Sequence, residues 1–238
     1  MRMRNTRGRG ERARQECAVY DSASSSSASS SMWGGRIDVE RKRRERFEKA
    51  GGAAYLLNVL REEDAETVRM GCQRLRGRVS GELGSTASGR LGCVVTSDSA
   101  MRRIFEQHYV VERLREAIGA TTPIALAKDV PMEYRVYRPG SEMDWHSDDL
   151  LFAVPQLEIV YTVVNDSDAA TEWKDASGKR IHREETLPNS CLIVRAGQSV
   201  HRVRKLRRGE RTILKMAYVH PDAAKLDSFS ENFSEMYM

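Results

Sequence analysis

The pattern of the chain changes at Pro123, and this change limits the fold more than any other feature. Before Pro123, apolar residues recur at three- and four-residue steps, which is typical of amphipathic helices. After it, short apolar and β-branched runs alternate with turn pairs such as Pro139-Gly140 and Arg208-Gly209, which is typical of antiparallel strands. Helices followed by strands predict an α+β chain in which N-terminal helices buttress a jelly-roll barrel.

The spacing of apolar and turn residues places these elements along the chain. A highly charged helix is expected over 37–49, and a second helical stretch follows an apolar run within 53–76. The Gly- and Ser-rich range 81–92 is predicted to be a loop, and a longer helix over 99–118 should end at the C-cap Gly119. The predicted strands cover 132–137, 157–164, 190–194 and 212–219.

The positive charge is concentrated at the N-terminus. Residues 1–50 hold 13 of the 39 Lys and Arg residues and 7 of the 34 Asp and Glu residues, a balance of +6 against −1 for the rest. The body is therefore nearly neutral, so we do not expect a nucleic-acid partner. We predict a disordered basic and Ser-rich arm over 1–35, a charged helical linker over 36–52, a catalytic domain over 53–222 with helical support to 122 and a barrel from 123, and a tail over 223–238.

The cysteines and the hydropathy indicate the compartment. Cys17, Cys72, Cys93 and Cys191 are far apart and form no CxxC pair, which favours reduced thiols. No segment approaches the roughly 18 consecutive apolar residues of a membrane span. We expect a soluble intracellular protein without a membrane partner, located in the cytoplasm. The Arg- and Ser-rich start leaves organelle targeting open as the alternative.

The predicted barrel contains a pair of side chains of the kinds that bind metal ions. His146 and Asp148 are two residues apart, so on a strand they point to the same face, as a chelating pair must. A third histidine would complete a facial triad for Fe(II), and His201 is the best candidate because it follows an apolar strand and a short turn. The other histidines considered, His182 and His220, lie in a charged stretch and before a proline. A surface His–Asp pair is the common alternative for such a motif.

A cation ten residues after His201 gives the triad a more specific meaning. Arg211 begins the last predicted strand, where its guanidinium could bind the distal carboxylate of a chelated 2-oxoglutarate through two parallel hydrogen bonds. A turn arginine beside Gly209 is the alternative. Lys215 shares the strand face of Arg211 and is a second choice for this role, with a solvent-facing or structural role preferred.

The segment 132–219 resembles the catalytic core of the 2-oxoglutarate and Fe(II)-dependent dioxygenases, most closely the prolyl 4-hydroxylase-type branch. That branch carries a tyrosine, a glycine three residues later and the first histidine six further on, and Tyr137, Gly140 and His146 reproduce these steps. The distal histidine and the basic residue ten positions later are matched by His201 and Arg211.

The resemblance implies a double-stranded β-helix and an enzyme that hydroxylates its substrate while 2-oxoglutarate and O2 yield succinate and CO2. The catalytic metal would be Fe(II), held by His146, Asp148 and His201, with ascorbate as an optional addition. Tyr137 would hydrogen-bond the distal carboxylate beside Arg211. Of the neighbours Tyr161 and Thr162, which point to opposite strand faces, Tyr161 is slightly preferred as the one that faces the cofactor.

The substrate and two rival functions stay open. The hydroxylases usually carry Gly-Gly-Glu-Thr where this chain reads Ala169-Ala-Thr-Glu-Trp173, so the substrate, a protein side chain or a small molecule, can differ from proline. An AlkB-like nucleic-acid demethylase is the first rival, although that group has a second arginine where Ala217 stands. A metal-free barrel that acts as a binding module is the other.

Overall fold

The computed structural model describes residues 32–81 and 86–231, with side chains from Ile37 onwards. Its α-helices are α1 (Met32–Lys49), α2 (Glu62–Leu75), α3 (Ala100–Phe105) and α4 (His108–Ile118), and short 3-10 helices cover Arg76–Arg78 and Asp227–Phe229. Within these ranges, each helix is too short or too polar to cross a membrane.

The strands pair into two antiparallel sheets that face each other. They are β1 (Ala53–Leu57), β2 (Ser80–Gly81), β3 (Ala87–Ser88), β4 (Leu91–Val95), β5 (Ala125–Leu126), β6 (Met132–Tyr137), β7 (Glu142–His146), β8 (Leu157–Asn165), β9 (Thr171–Lys174), β10 (Ile181–Glu184), β11 (Ser190–Arg195), β12 (His201–Val203) and β13 (Arg211–Val219).

The large sheet has the order β1-β11-β8-β13-β6-β4-β2, with β5 also paired to β13, and the small sheet has the order β10-β9-β12-β7-β3. Side chains from both sheets, such as Ile213 of β13 and Val203 of β12, form one apolar cluster between them. The predicted double-stranded β-helix is therefore confirmed, and so are the supporting helices, which cover the outer face of the large sheet.

The two central strands of the large sheet present different chemistry on their two faces. Ile159 and Tyr161 of β8 pack with Leu214 of β13 in the core beneath the helices. The intervening positions, among them Thr162 and Lys215, point to the space between the sheets, because successive strand residues alternate in direction. The interior of the barrel thus receives several polar residues of these strands, among them Thr162 and Lys215.

Helix α1 packs on the domain more closely than its predicted role as a linker requires. Its residue Phe47 is buried, and Glu48 receives two hydrogen bonds of 2.7 and 2.8 Å from the guanidinium of Arg195 in β11. Gly119 ends α4 with a φ of 63°. The helices approach so closely there that a Cβ atom on Gly119 would collide with the backbone of Arg44. The predicted C-cap is confirmed, and the charged segment contributes to the core.

Several elements differ from the sequence-based expectation. Residues 53–57 form the edge strand β1 rather than part of a helical support, because their apolar run pairs with β11. The helix expected over 99–118 breaks at Glu106 into α3 and α4. Part of the expected loop 81–92 pairs as short strands, while 82–85 lie outside the described residues. Of the arm, 32–35 belong to α1, and 1–31 lie outside the described residues, as do 232–238 of the tail.

Candidate metal centre and co-substrate pocket

The three predicted metal ligands come together at one end of the barrel. His146 is the last residue of β7, His201 is the first residue of β12, and the two are directly opposite each other in the sheet. Their ring centroids are 4.2 Å apart, and Nε2 of His201 lies 3.8 Å from Oδ2 of Asp148. One ligand atom from each of the three residues lies within 4.8 Å of the others. This spacing suits a single divalent ion.

Backbone carbonyls orient both imidazoles. Nδ1 of His146 lies 2.8 Å from the carbonyl oxygen of Asp144, and Nδ1 of His201 lies 3.0 Å from that of Ser199. A carbonyl only accepts, so in each ring Nδ1 carries the proton and donates it. The lone pair is then on Nε2, which is the arrangement that a metal-binding histidine needs.

Burial and the neighbouring ammonium group favour the protonation states that bind metal, which are a neutral imidazole and an ionised carboxylate. Burial lowers the pKa of His201 to about 4, so its imidazole is neutral at pH 7. Burial alone would raise the pKa of Asp148, but the charge of the Lys215 ammonium and its hydrogen bond, together with His201 in its protonated form at acidic pH, outweigh burial, and the pKa of Asp148 falls below its usual value. Nζ of Lys215 donates to Oδ1 of Asp148 over 2.7 Å. Lys215 therefore faces the candidate metal centre and not solvent.

Two atoms of the triad test whether a metal fits. Nε2 of His146 and Oδ2 of Asp148 are buried, and neither has a hydrogen-bond partner among the described residues. A buried polar atom without a partner costs about 1–3 kcal/mol, so such atoms are rare unless a ligand satisfies them. Two imidazoles and one carboxylate are the donor set of non-haem Fe(II) sites. The residues present fit that ion.

Arg211 lies in the same interior with its donors only partly used. It is 1% exposed, and its Nη1 donates to Oγ1 of Thr171 over 2.7 Å. Its Nε and Nη2 are buried without a hydrogen-bond partner in the described part of the chain. Burial lowers the pKa of Arg211, yet arginine stays protonated at neutral pH. Two open N–H donors on a buried cation suit a carboxylate.

Tyr137 lies beside Arg211, directly opposite it in the large sheet. The guanidinium groups of Arg211 and Arg90 lie 5.8 and 5.7 Å from the centroid of its ring. Its hydroxyl accepts a hydrogen bond of 3.1 Å from Nη1 of Arg90. The hydroxyl donates to Sδ of Met143 over 3.9 Å, a weak acceptor that a carboxylate bound at Arg211 would replace, as the family resemblance implies.

The structure places Tyr161, the residue expected to face the cofactor, on the side of the large sheet away from the candidate metal centre. Its ring packs edge-on against Phe105 of α3, with centroids 5.2 Å apart, and its hydroxyl donates to Oδ1 of Asn189 over 3.2 Å. Tyr161 thus lies on the helix side of the large sheet. Its neighbour Thr162 points to the interior, opposite Ile213, and its buried Oγ1 has no partner among the described residues. Thr162, and not Tyr161, therefore points to the space between the two sheets.

Sequence reasoning also missed Thr171 and Arg90. Thr171 lies within the segment Ala169–Trp173, which was noted only as a departure from the hydroxylases, and its threonine at a strand start was the available signal. Arg90 gave no signal, because it lies in a stretch predicted to be a loop. His182 stacks on Trp173 outside the triad, and His220 follows the end of β13.

The sequence matches neither a protein-family model nor a curated protein. Solved structures do match. A prolyl-4-hydroxylase from Pseudomonas putida superposes with a TM-score of 0.59 at 14% identity, over 76% of this chain and 99% of that one. A prolyl hydroxylase from Trichoplax adhaerens, in complex with a hypoxia-inducible factor peptide, gives 0.59 at 11% identity over 79% and 91%. This chain has the 2-oxoglutarate and Fe(II)-dependent oxygenase fold.

The same fold occurs in a structure that contains iron and alpha-ketoglutarate. The epimerase SnoN from nogalamycin biosynthesis, in complex with Fe3+, alpha-ketoglutarate and nogalamycin RO, gives a TM-score of 0.62 at 13% identity, over 79% of this chain and 86% of that one. At such identities the likeness establishes the fold, and the chemistry depends on the residues of this chain.

Proposed function

We propose that this protein is an Fe(II)- and 2-oxoglutarate-dependent dioxygenase that hydroxylates its substrate. The observation that carries the proposal is that four of the buried polar atoms without a hydrogen-bond partner among the described residues form two complementary sets. His146 and Asp148 leave a nitrogen and an oxygen open beside His201, and Arg211 leaves two N–H donors open. The first set suits a divalent cation and the second a carboxylate, and a chelated 2-oxoglutarate requires both.

We assign metal binding to one end of the pocket and binding of the distal carboxylate to the other. His146, Asp148 and His201 would hold the metal, and the carbonyls behind the two imidazoles fix their orientation. Arg211, itself held by Thr171, would hold the distal carboxylate and so set how the co-substrate enters. When bound, iron and 2-oxoglutarate reduce O2, with release of succinate and CO2 and transfer of one oxygen atom to the substrate.

We propose that the substrate need not be peptidyl proline. Proteins of this fold include one in complex with a peptide fragment and one in complex with nogalamycin RO. In this chain Thr171, within the segment that departs from the hydroxylases, supports Arg211. We therefore propose a protein side chain or a small molecule as substrate. An intracellular location remains a proposal, supported by free Cys72, Cys93 and Cys191 among the described residues.

The AlkB-like alternative has less support in this chain. The position six residues after Arg211, where that group has its second arginine, is Ala217, which packs in a small apolar cluster with residues such as Phe152. The binding-module alternative leaves the open atoms of His146, Asp148 and Arg211 without a role.

An anaerobic titration tests the proposal directly. Fe(II) is added to the apoprotein, followed by 2-oxoglutarate, while the visible spectrum is recorded. We expect a charge-transfer band that appears only when both are present, because the band arises from the chelate. The absence of a band in protein that is folded by circular dichroism would contradict the proposed function and the AlkB-like alternative together, and would leave the binding module.

A further inference from the structure

Lys215 belongs to a buried cluster of charges next to the candidate metal centre. Its Nζ lies 2.7 Å from Oδ1 of Asp148 and 3.7 Å from Oε2 of Glu158. The side chains of Asp148 and Glu158 are 9% and 5% exposed, and that of Lys215 is 20% exposed. A lysine shared by two buried carboxylates is costly to desolvate, so this arrangement calls for a role.

The cluster also holds the backbone that follows Asp148. Nε2 of Gln156 donates to Oε1 of Glu158 over 3.0 Å and to the carbonyl oxygen of Asp149 over 2.8 Å. Oε1 of Gln156 accepts from the backbone N–H of Leu151 over 3.2 Å. The contacts therefore run from the Asp148 side chain through Lys215, Glu158 and Gln156 back to the loop that carries Asp148. The carboxylate is fixed from both directions.

These contacts give a hydrogen bond to one carboxylate oxygen of Asp148 and none to the other. Oδ1 accepts the charge-assisted hydrogen bond from Lys215, whereas Oδ2 faces His201 and has no hydrogen-bond partner among the described residues. A carboxylate can bind a metal through one oxygen or through both. An ammonium group on Oδ1 repels a cation from that side, so only Oδ2 is suited to coordination.

We propose that Lys215 is a positioning residue that restricts Asp148 to one metal-binding oxygen and so keeps a coordination position open for the co-substrate. The proposal rests on the proposed function, because it assumes a metal at the triad. It assigns to Lys215 a task different from that of Arg211, four residues earlier on the same face of β13. Glu158 balances the charge of the lysine, and Gln156 links both to the loop.

The test compares two variants that differ only at Lys215. Glu158→Gln keeps the lysine on Asp148, and Lys215→Met/Glu158→Gln removes the lysine together with the carboxylate 3.7 Å from it, so that Asp148 is the one carboxylate of the cluster left and the charge of the loaded metal balances it. Lys205→Met, an exposed lysine paired with Glu142, is the surface control. Folding is checked by circular dichroism and thermal melting. Each protein is then loaded with Co(II), whose visible absorption reports coordination number and needs no turnover.

We expect the Co(II) spectrum of the double variant to differ from that of Glu158→Gln, because Oδ1 of Asp148 becomes available to the metal. Binding of 2-oxoglutarate to the Co(II) protein should weaken on the order of 10-fold or more, as for other changes behind metal ligands. Lys205→Met should match the unaltered protein. Equal spectra and equal 2-oxoglutarate affinities for the two Glu158 variants would overturn the role of Lys215. Failure of the unaltered protein to bind Co(II) would contradict the proposed function itself, and the inference with it.

Discussion

The two faces of the central strands β8 and β13 are built from alternate residues of the same sequence, yet they differ in how their polar atoms are satisfied. On the helix side, Tyr161 pairs its hydroxyl with Asn189 within an apolar core that includes Leu214. On the interior side, Thr162 and Arg211 keep buried polar atoms without partners among the described residues. The helix face stabilises the fold, and the interior face is prepared for ligands.

This difference between the two faces shows how the barrel stays folded although its interior polar groups lower its stability. Each unsatisfied buried polar group lowers stability by about 1–3 kcal/mol, and the interior face carries several of them. Burial of a large apolar side chain contributes about 1.5–3 kcal/mol, and the helix face supplies many, among them Ile159, Leu214 and Met216. The free energy gained by burying the apolar side chains on the helix face therefore offsets the free energy lost at the unsatisfied polar groups on the interior face. Changes on the two faces should separate binding from stability.

The largest effect is expected at the metal end of the interior face. His201→Ala removes one of three ligands, so we expect binding of Fe(II) or Co(II) to be lost and turnover to be abolished, while circular dichroism still shows a folded protein. Metal content after dialysis, measured by atomic absorption, checks this. His220→Ala, which changes a histidine beyond the end of β13, is the control and should retain the metal. Retention of the metal by His201→Ala would remove His201 from the site.

An intermediate effect is expected at the co-substrate end. Arg211→Met keeps much of the side-chain volume but removes the cation, so affinity for 2-oxoglutarate should fall by about 1.5–3 kcal/mol, the worth of a hydrogen bond to a charged group. Binding of the metal alone should be nearly unchanged, since Arg211 touches none of the triad in the described contacts. Calorimetric titration of the metal-loaded protein with 2-oxoglutarate measures both. An unchanged affinity would exclude Arg211 from the pocket.

Much of the interior face could be predicted, because its residues follow local spacing. The two-residue step between His146 and Asp148 and the ten-residue step from His201 to Arg211 follow the family spacing, and the structure brings all four into the barrel, although Asp148 lies in the loop after β7 and not on the strand. The hydrogen bond from Lys215 to Asp148 could not be predicted, because strand periodicity does not indicate which residues distant in sequence come into contact.

The choice between the two faces was the harder problem. Alternation established that Tyr161 and Thr162 point in opposite directions, but β8 is buried on both faces, so hydropathy could not say which face is the interior. The edge strand β1 was missed for a related reason. Its short apolar run between two helices fits a helix as well as a strand, and only its pairing with β11 decides.

The smallest effects, and the sharpest comparison of the two faces, come from this neighbouring pair. Tyr161→Phe removes only the hydroxyl bonded to Asn189, so the free energy of unfolding should fall by about 0.5–1.5 kcal/mol with unchanged affinity for 2-oxoglutarate. Thr162→Val replaces a hydroxyl that has no partner in the described structure, so the protein without ligand should be equally or more stable, while affinity for 2-oxoglutarate falls by a similar amount. Urea unfolding and calorimetric titration of both variants measure the two quantities. If Tyr161→Phe weakens 2-oxoglutarate binding and Thr162→Val does not, the assignment of the faces is reversed.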